Sequence, residues 1–118
     1  MATIFRCRAK STLALRQRRA LLVKQLNLPR ALLRASLVER FGSCGRANCC
    51  CQQGQRHGPF YYLTQCLAKG HMQKFLLKTQ PQRQQAQQAI AAWHTLQEQL
   101  EEISQINAEL LRRDEPLA

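Results

Sequence analysis

Acidic side chains are what this sequence has least of. Seven Asp and Glu stand against 18 Lys and Arg, and Glu39 is the only carboxylate before Glu98. Hydrolytic and nuclease metal centres hold their cations through carboxylates close to the substrate, so that scarcity argues against an enzyme of this kind. Long apolar runs are missing too. The longest is Ala89 to Trp93, well short of the ~20 residues that cross a bilayer and of a secretory h-region. The expectation is a soluble, cytoplasmic, non-enzymatic protein. With 118 residues and seven aromatics, folding would bury roughly two-thirds of the surface of the unfolded chain. One modest core is expected, in one domain or a domain with an extension, and two separately cored domains are not.

What is present is positive charge, unevenly placed. Residues 1 to 57 carry 12 basic side chains and Glu39 alone, whereas residues 58 to 118 carry six basic and six acidic groups. The whole net charge of +11 therefore sits in the first half. Such a segment repels itself, and its natural complement is a polyanion, foremost nucleic acid, whose released counterions supply much of the affinity. An anionic membrane is the rival polyanion, and a merely solvated basic face is the plainest alternative.

The pattern along the chain predicts an α+β fold, mainly helical. Residues 1–10 read as a flexible basic terminus. Ser11 or Thr12 caps a helix to about Leu26, with Leu15, Leu22, Val23 and Leu26 on its apolar side. Asn27-Leu28-Pro29 then opens a second basic helix, from about Leu28 to Phe41, whose buried face is Leu33, Leu37 and Phe41 and which stops at Gly42. After a Cys/His loop, Phe60 to Leu67 and His71 to Lys78 flank Ala68-Lys69-Gly70 as a β-hairpin, which closes a unit spanning 11–78. Phe60, Tyr62, Thr64 and Cys66 share one strand face, and Tyr61, Leu63 and Leu67 share the other. Ordinary core packing is the leading role for Phe60-Tyr61-Tyr62 and a base-stacking platform the lesser one. From Thr79 or Gln80, with Pro81 in the first turn, a helix of roughly 30 residues runs to 113, leaving 114–118 as a tail. Ala86, Trp93, Leu100 and Asn107 alternate with Ala89, Leu96, Ile103 and Leu110 as a heptad seam. Trp93, Leu96, Leu100, Ile103, Asn107 and Leu110 are thus candidates for a homodimeric coiled coil, with packing on the chain's own N-terminal helices as the other outcome.

Cys44, Cys49, Cys50, Cys51 and His57 lie within fourteen residues of a Gly-, Asn- and Gln-containing loop. Thiolates and a neutral imidazole are the ligands that tetrahedral zinc prefers. In an extended loop Cys49 and Cys51 point to one side and Cys50 to the other, so Cys44, Cys49, Cys51 and His57 form the candidate ligand set of a structural Zn2+ and Cys50 is spare. Reduced thiols, or disulfide chemistry, are the alternatives. Cys7 is expected as a thiol on a mobile terminus and Cys66 as a buried strand residue, although Cys7 or His71 is also open as a replacement ligand.

Cys44-Gly45-Arg46-Ala47-Asn48-Cys49-Cys50-Cys51 followed by His57-Gly58-Pro59-Phe60-Tyr61-Tyr62-Leu63 resembles the pattern of a family of short, uncharacterised bacterial proteins. In that family a CG-x3-C-x-C loop precedes HGP and two aromatics, then a hairpin and a long C-terminal helix. The similarity covers about residues 36 to 112. Cys50 stands where the family usually has a basic residue. The resemblance implies a shared site and a setting beside transposases or other mobile elements, and no mechanism.

Together these features lead to a small nucleic-acid-binding accessory protein of a mobile element, with DNA favoured over RNA. Arg16, Arg18, Arg19, Lys24, Arg30, Arg34, Arg46 and Arg56 are the candidate phosphate contacts. The alternative is an adaptor whose long helix docks on a transposase or recombinase.

Overall fold

The computed structural model describes residues 3–42 and 57–118. Its first helix, α1 (Thr12–Gln25), begins as the sequence requires, with the Ser11 hydroxyl accepting from the Ala14 amide at 3.1 Å. The last helix, α2 (Gln80–Arg112), is 33 residues long, or about 50 Å at 1.5 Å per residue. Its start is a reciprocal cap: Thr79 Oγ1 accepts from the Gln82 amide at 3.3 Å, and Gln82 Oε1 accepts from the Lys78 and Thr79 amides. Three backbone amides are satisfied in a single turn.

The expected second helix over 28–41 does not form. Ser36–Gly42 is instead a strand, β1, which pairs antiparallel with β2 (His57–Cys66), and β2 pairs antiparallel with β3 (Met72–Leu77) in the order β1-β2-β3. Leu33, Leu37 and Phe41 have helical spacing, but Leu37, Val38 and Phe41 also suit a strand, and the ladder with Leu63 and Tyr62 decides between the two. The hairpin turn carries Lys69 at φ 59° and Gly70 at φ 77°. Near the other end of β2, Gly58 has φ 143°, and a Cβ there would lie 2.6 Å from Phe41 Cδ1 and 3.0 Å from the Arg40 carbonyl oxygen. The glycine of the HGP segment is thus required by the close approach of β1, where the ladder shifts register between Arg40 and Gly42.

The chain divides into two compact units, 1–30 with 93–118, and 31–92. Each has its own core, against the expectation of one, and α2 contributes to both. In the first unit Leu15, Leu22, Ile106, Leu110 and Cys7 are buried together, with Phe5 and Ile103 against them. Early α1 residues meet late α2 residues, as in the Arg113 to Thr12 and Arg19 to Asn107 hydrogen bonds, so the two helices run antiparallel. Val23 and Leu26, expected on the buried face of α1, are 56% and 37% exposed. The expected flexible terminus carries a 3₁₀ turn over Cys7–Ala9 and supplies Phe5 and Cys7 to this core. In the second unit Leu63, Leu77 and Ala86 are buried, with Leu33, Ala35, Leu37, Tyr61 and Ile90 packed on them. The first turns of α2 therefore cover one sheet face.

Glu109 ties the first unit together. Its side chain is 5% exposed and accepts from Arg112 and Arg113, while Arg113 also donates to Thr12 Oγ1 at 3.1 Å and to the Lys10 carbonyl at 2.6 Å. The hydrogen bond from Arg112, followed by that from Arg113, holds the Glu109 carboxyl down at about 2 against the ordinary 4.5, although desolvation opposes them. A carboxyl depressed in the folded state contributes stability in full above its unfolded pKa and loses it as pH falls toward the folded one. Thermal melts should accordingly show the wild-type chain losing stability between pH 4.5 and 2 more steeply than Glu109→Gln. Equal slopes would show that this carboxylate is not held ionised.

Candidate nucleic-acid interface

The arginines of α1 are engaged within their own unit. Arg18 donates to both carboxylate oxygens of Glu102, at 2.8 and 3.0 Å. Arg19 donates to Asn107 Oδ1 and to the Leu117 carbonyl, each at 2.8 Å, and Arg16 donates to the Pro116 carbonyl at 2.8 Å and lies 3.6 Å from Glu115. Arg34, in the second unit, donates to the Cys66 carbonyl at 2.7 Å. Lys24 and Arg30 are exposed. Arg46 and Arg56 lie outside the described residues.

Redistribution of charge follows from this fold. The first unit holds ten basic and six acidic side chains, a net of +4, and residues 31–92 hold eight basic side chains against Glu39 alone, a net of +7. The excess that the linear sequence places in residues 1–57 thus belongs mostly to the sheet unit, because the acidic end of α2 folds onto α1.

Within that unit the pleat sorts the side chains. Tyr61 and Leu63 of β2 face the same side as their partners Glu39, Leu37, Leu77 and Phe75, the side on which α2 packs, and Arg83 of α2 stands 4.7 Å above the Tyr61 ring. The opposite face carries Val38 and Arg40 of β1, Phe60, Tyr62, Thr64 and Cys66 of β2, and Met72, Lys74 and Leu76 of β3. Phe60 is 37% and Met72 67% exposed, and Lys74 Nζ lies 4.6 Å from the centre of the Tyr62 ring. Cys66, expected to be buried, is exposed on this face. Arg40 and Lys74 did not stand out in the sequence. Arg40 falls in a segment whose spacing predicts a helix, and only the β1–β2 register brings it beside Phe60.

The candidate zinc ligands Cys44, Cys49 and Cys51, like Cys50, lie outside the described residues, and so does the His57 side chain. The His57 backbone opens β2 opposite Gly42. Among the described residues no group of three His, Cys, Asp or Glu side chains is placed to hold a metal ion. Cys7 is buried, and desolvation pushes its thiol pKa up.

The heptad seam is used within the chain. Leu110 is 0% exposed and Ile103 packs on the α1 core, Asn107 accepts from Arg19, Leu96 is buried and Trp93 half-buried, whereas Leu100 is 45% exposed.

A family model described as a domain of unknown function, DUF6788, matches residues 12–72, just over half of the chain. The chain belongs to the DUF6788 family. The DUF6788 match takes in α1, β1, β2 and the turn after β2, and ends at the first residue of β3, so the aromatic strand β2 lies inside it and α2 outside it. Neither the curated proteins nor the solved structures yield a match. Among the described residues no helix is long and apolar enough to cross a membrane.

Proposed function

We propose that this DUF6788 protein is a small, non-enzymatic nucleic-acid-binding accessory protein of a mobile element, acting on DNA in the cytoplasm. The observation that carries the reading is the charge of the sheet unit, eight basic side chains against one acid. The contact surface moves accordingly. Arg16, Arg18 and Arg19 are engaged within the chain, so the phosphate contacts are assigned to Arg40 and Lys74, with Arg46 and Arg56 of the Cys-containing segment. The resemblance of that segment and of His57-Gly58-Pro59 to mobile-element-associated proteins supports the setting.

A structural Zn2+ on Cys44, Cys49, Cys51 and His57 belongs to the same reading. Gly42 and His57 are ladder partners. Cys44 follows two residues after the first partner in sequence, and His57 is the second. A tetrahedral metal holds ligands of this kind together without a large core.

Anisotropy titrations of labelled DNA across a salt series test the whole. Four or more phosphate contacts give a log–log slope of about −3 or steeper on duplex, and native mass spectrometry should find one zinc per chain. Absent binding at about 50 mM salt, where phosphate contacts are strong, the reading fails.

A second reading, the adaptor or homodimer built on α2, is favoured by Leu100 and Leu111, 45% and 61% exposed and eleven residues apart, hence on one helix face. It would show as a chain that binds no DNA and yet retains a protein partner or a second copy.

A further inference from the structure

We propose that the sheet face turned away from α2 binds single-stranded DNA, stacking bases on Phe60 and Tyr62 while Arg40 and Lys74 hold the adjoining phosphates. The inference rests on the nucleic-acid reading above and names its substrate class.

Phe60 and Tyr62 lie two residues apart on the central strand and on one face, which sets them about 7 Å apart. A duplex stacks its bases about 3.4 Å apart along each strand and presents no base face to a side chain, whereas an extended single strand can lay successive bases on separate rings. Cations flank both rings. Arg40 is the cross-strand partner of Phe60, and Lys74 Nζ lies over Tyr62. The one carboxylate of the unit, Glu39, pairs with Tyr61 and so belongs to the other face. Among the described residues of this unit, no acidic side chain shares this face with the two cations.

Lys74 now occupies the ring face that a base would take. Stacking of a base on an aromatic side chain is stronger than an exposed cation–π contact. The base wins the exchange, and the displaced ammonium gains a phosphate. Val38 and Leu76, the neighbours of Tyr62 on either side, give the sugar an apolar bed. The Thr64 hydroxyl donates to the Ser36 carbonyl at 3.4 Å, so its proton is engaged within the sheet.

The test compares labelled oligo-dT, oligo-rU and a mixed-sequence duplex on wild type, Phe60→Leu, Tyr62→Leu and Tyr62→Phe. Each Leu variant should lose about 5- to 150-fold in oligo-dT affinity, the loss of one stacked base, with duplex affinity within about 2-fold and Tyr62→Phe close to wild type. In the wild-type chain, which needs no variant to fold, oligo-dT should shift the NMR ring signals of Phe60 and Tyr62 and leave Tyr61, beneath Arg83, in place. Unchanged oligo-dT affinity in folded Leu variants, or ring signals that do not move, overturns the stacking face and leaves nucleic-acid binding standing. Oligo-rU bound as tightly as oligo-dT overturns the choice of DNA. If wild type binds none of the three, the underlying reading fails with it.

Discussion

Leu110→Ala should lower the melting temperature by roughly 10 °C or more, and do so independently of protein concentration. Leu110 is 0% exposed and sits with Ile106, Leu15 and Leu22. Truncating a leucine so enclosed removes its transfer energy and leaves a cavity, together about 2–5 kcal/mol, and a chain of this size shifts by several degrees per kcal/mol. Leu100 occupies the same heptad seam but is 45% exposed, so Leu100→Ala should cost less than about 1 kcal/mol. The pair of variants separates two uses of one sequence pattern. If α2 paired with a second copy through the whole seam, both leucines would be costly and melting would depend on concentration. Differential scanning fluorimetry at several concentrations reads the difference directly.

Reversing Arg40 and Lys74 together to Glu should cut DNA affinity by roughly a hundredfold near 0.1 M salt. Each phosphate contact contributes about one unit to the log–log salt slope, and at that salt one unit of slope corresponds to about tenfold in affinity. The slope itself should become shallower by about two. By contrast, Arg18→Gln with Arg19→Gln should leave DNA affinity within about 2-fold and lower stability instead, because these side chains hold Glu102 and Asn107. The opposite pattern, with α1 variants abolishing binding and sheet variants neutral, would return the interface to the N-terminal helix. Insensitivity of both pairs, in a chain that still recruits a protein, would favour the adaptor.

The parts of this fold legible in the sequence are those settled by neighbours. Ser11 before α1, Thr79 with Gln82 and Pro81 at the start of α2, and the Ala68-Lys69-Gly70 turn each declare themselves within four residues, and each is found where expected. The alternation of Tyr61 and Leu63 against Phe60 and Tyr62 is likewise local and was readable. The strand β1 is not, since Leu33, Leu37 and Phe41 satisfy a helical spacing, and the competing register with β2 is made by residues 15 to 28 positions away. Distance in sequence also hid the fate of the charges. Arg18 meets Glu102 across 84 residues and Arg19 meets Asn107 across 88, and no count of basic residues along a segment anticipates such pairing. Asn107 is the polar position in an apolar seam, and its side chain accepts from Arg19 of the same chain. The cysteine cluster, the most conspicuous motif in the sequence, falls outside the described residues.

The continuity of α2 also dictates an order of events during synthesis. Residues 31–92 contain every group of their own core and can close once the chain has been made to Ala92. Leu15 and Leu22, made early, must wait for Ile106 and Leu110, which emerge about ninety residues later. At 5–20 residues per second, roughly five to twenty seconds pass with α1 unpartnered on the ribosome. Through that interval Arg16, Arg18 and Arg19 lack Glu102, Asn107 and Glu115, so the nascent N-terminus is more cationic than the finished protein. Glu102 and Glu115 thus serve as internal counterions that α1 acquires late in synthesis.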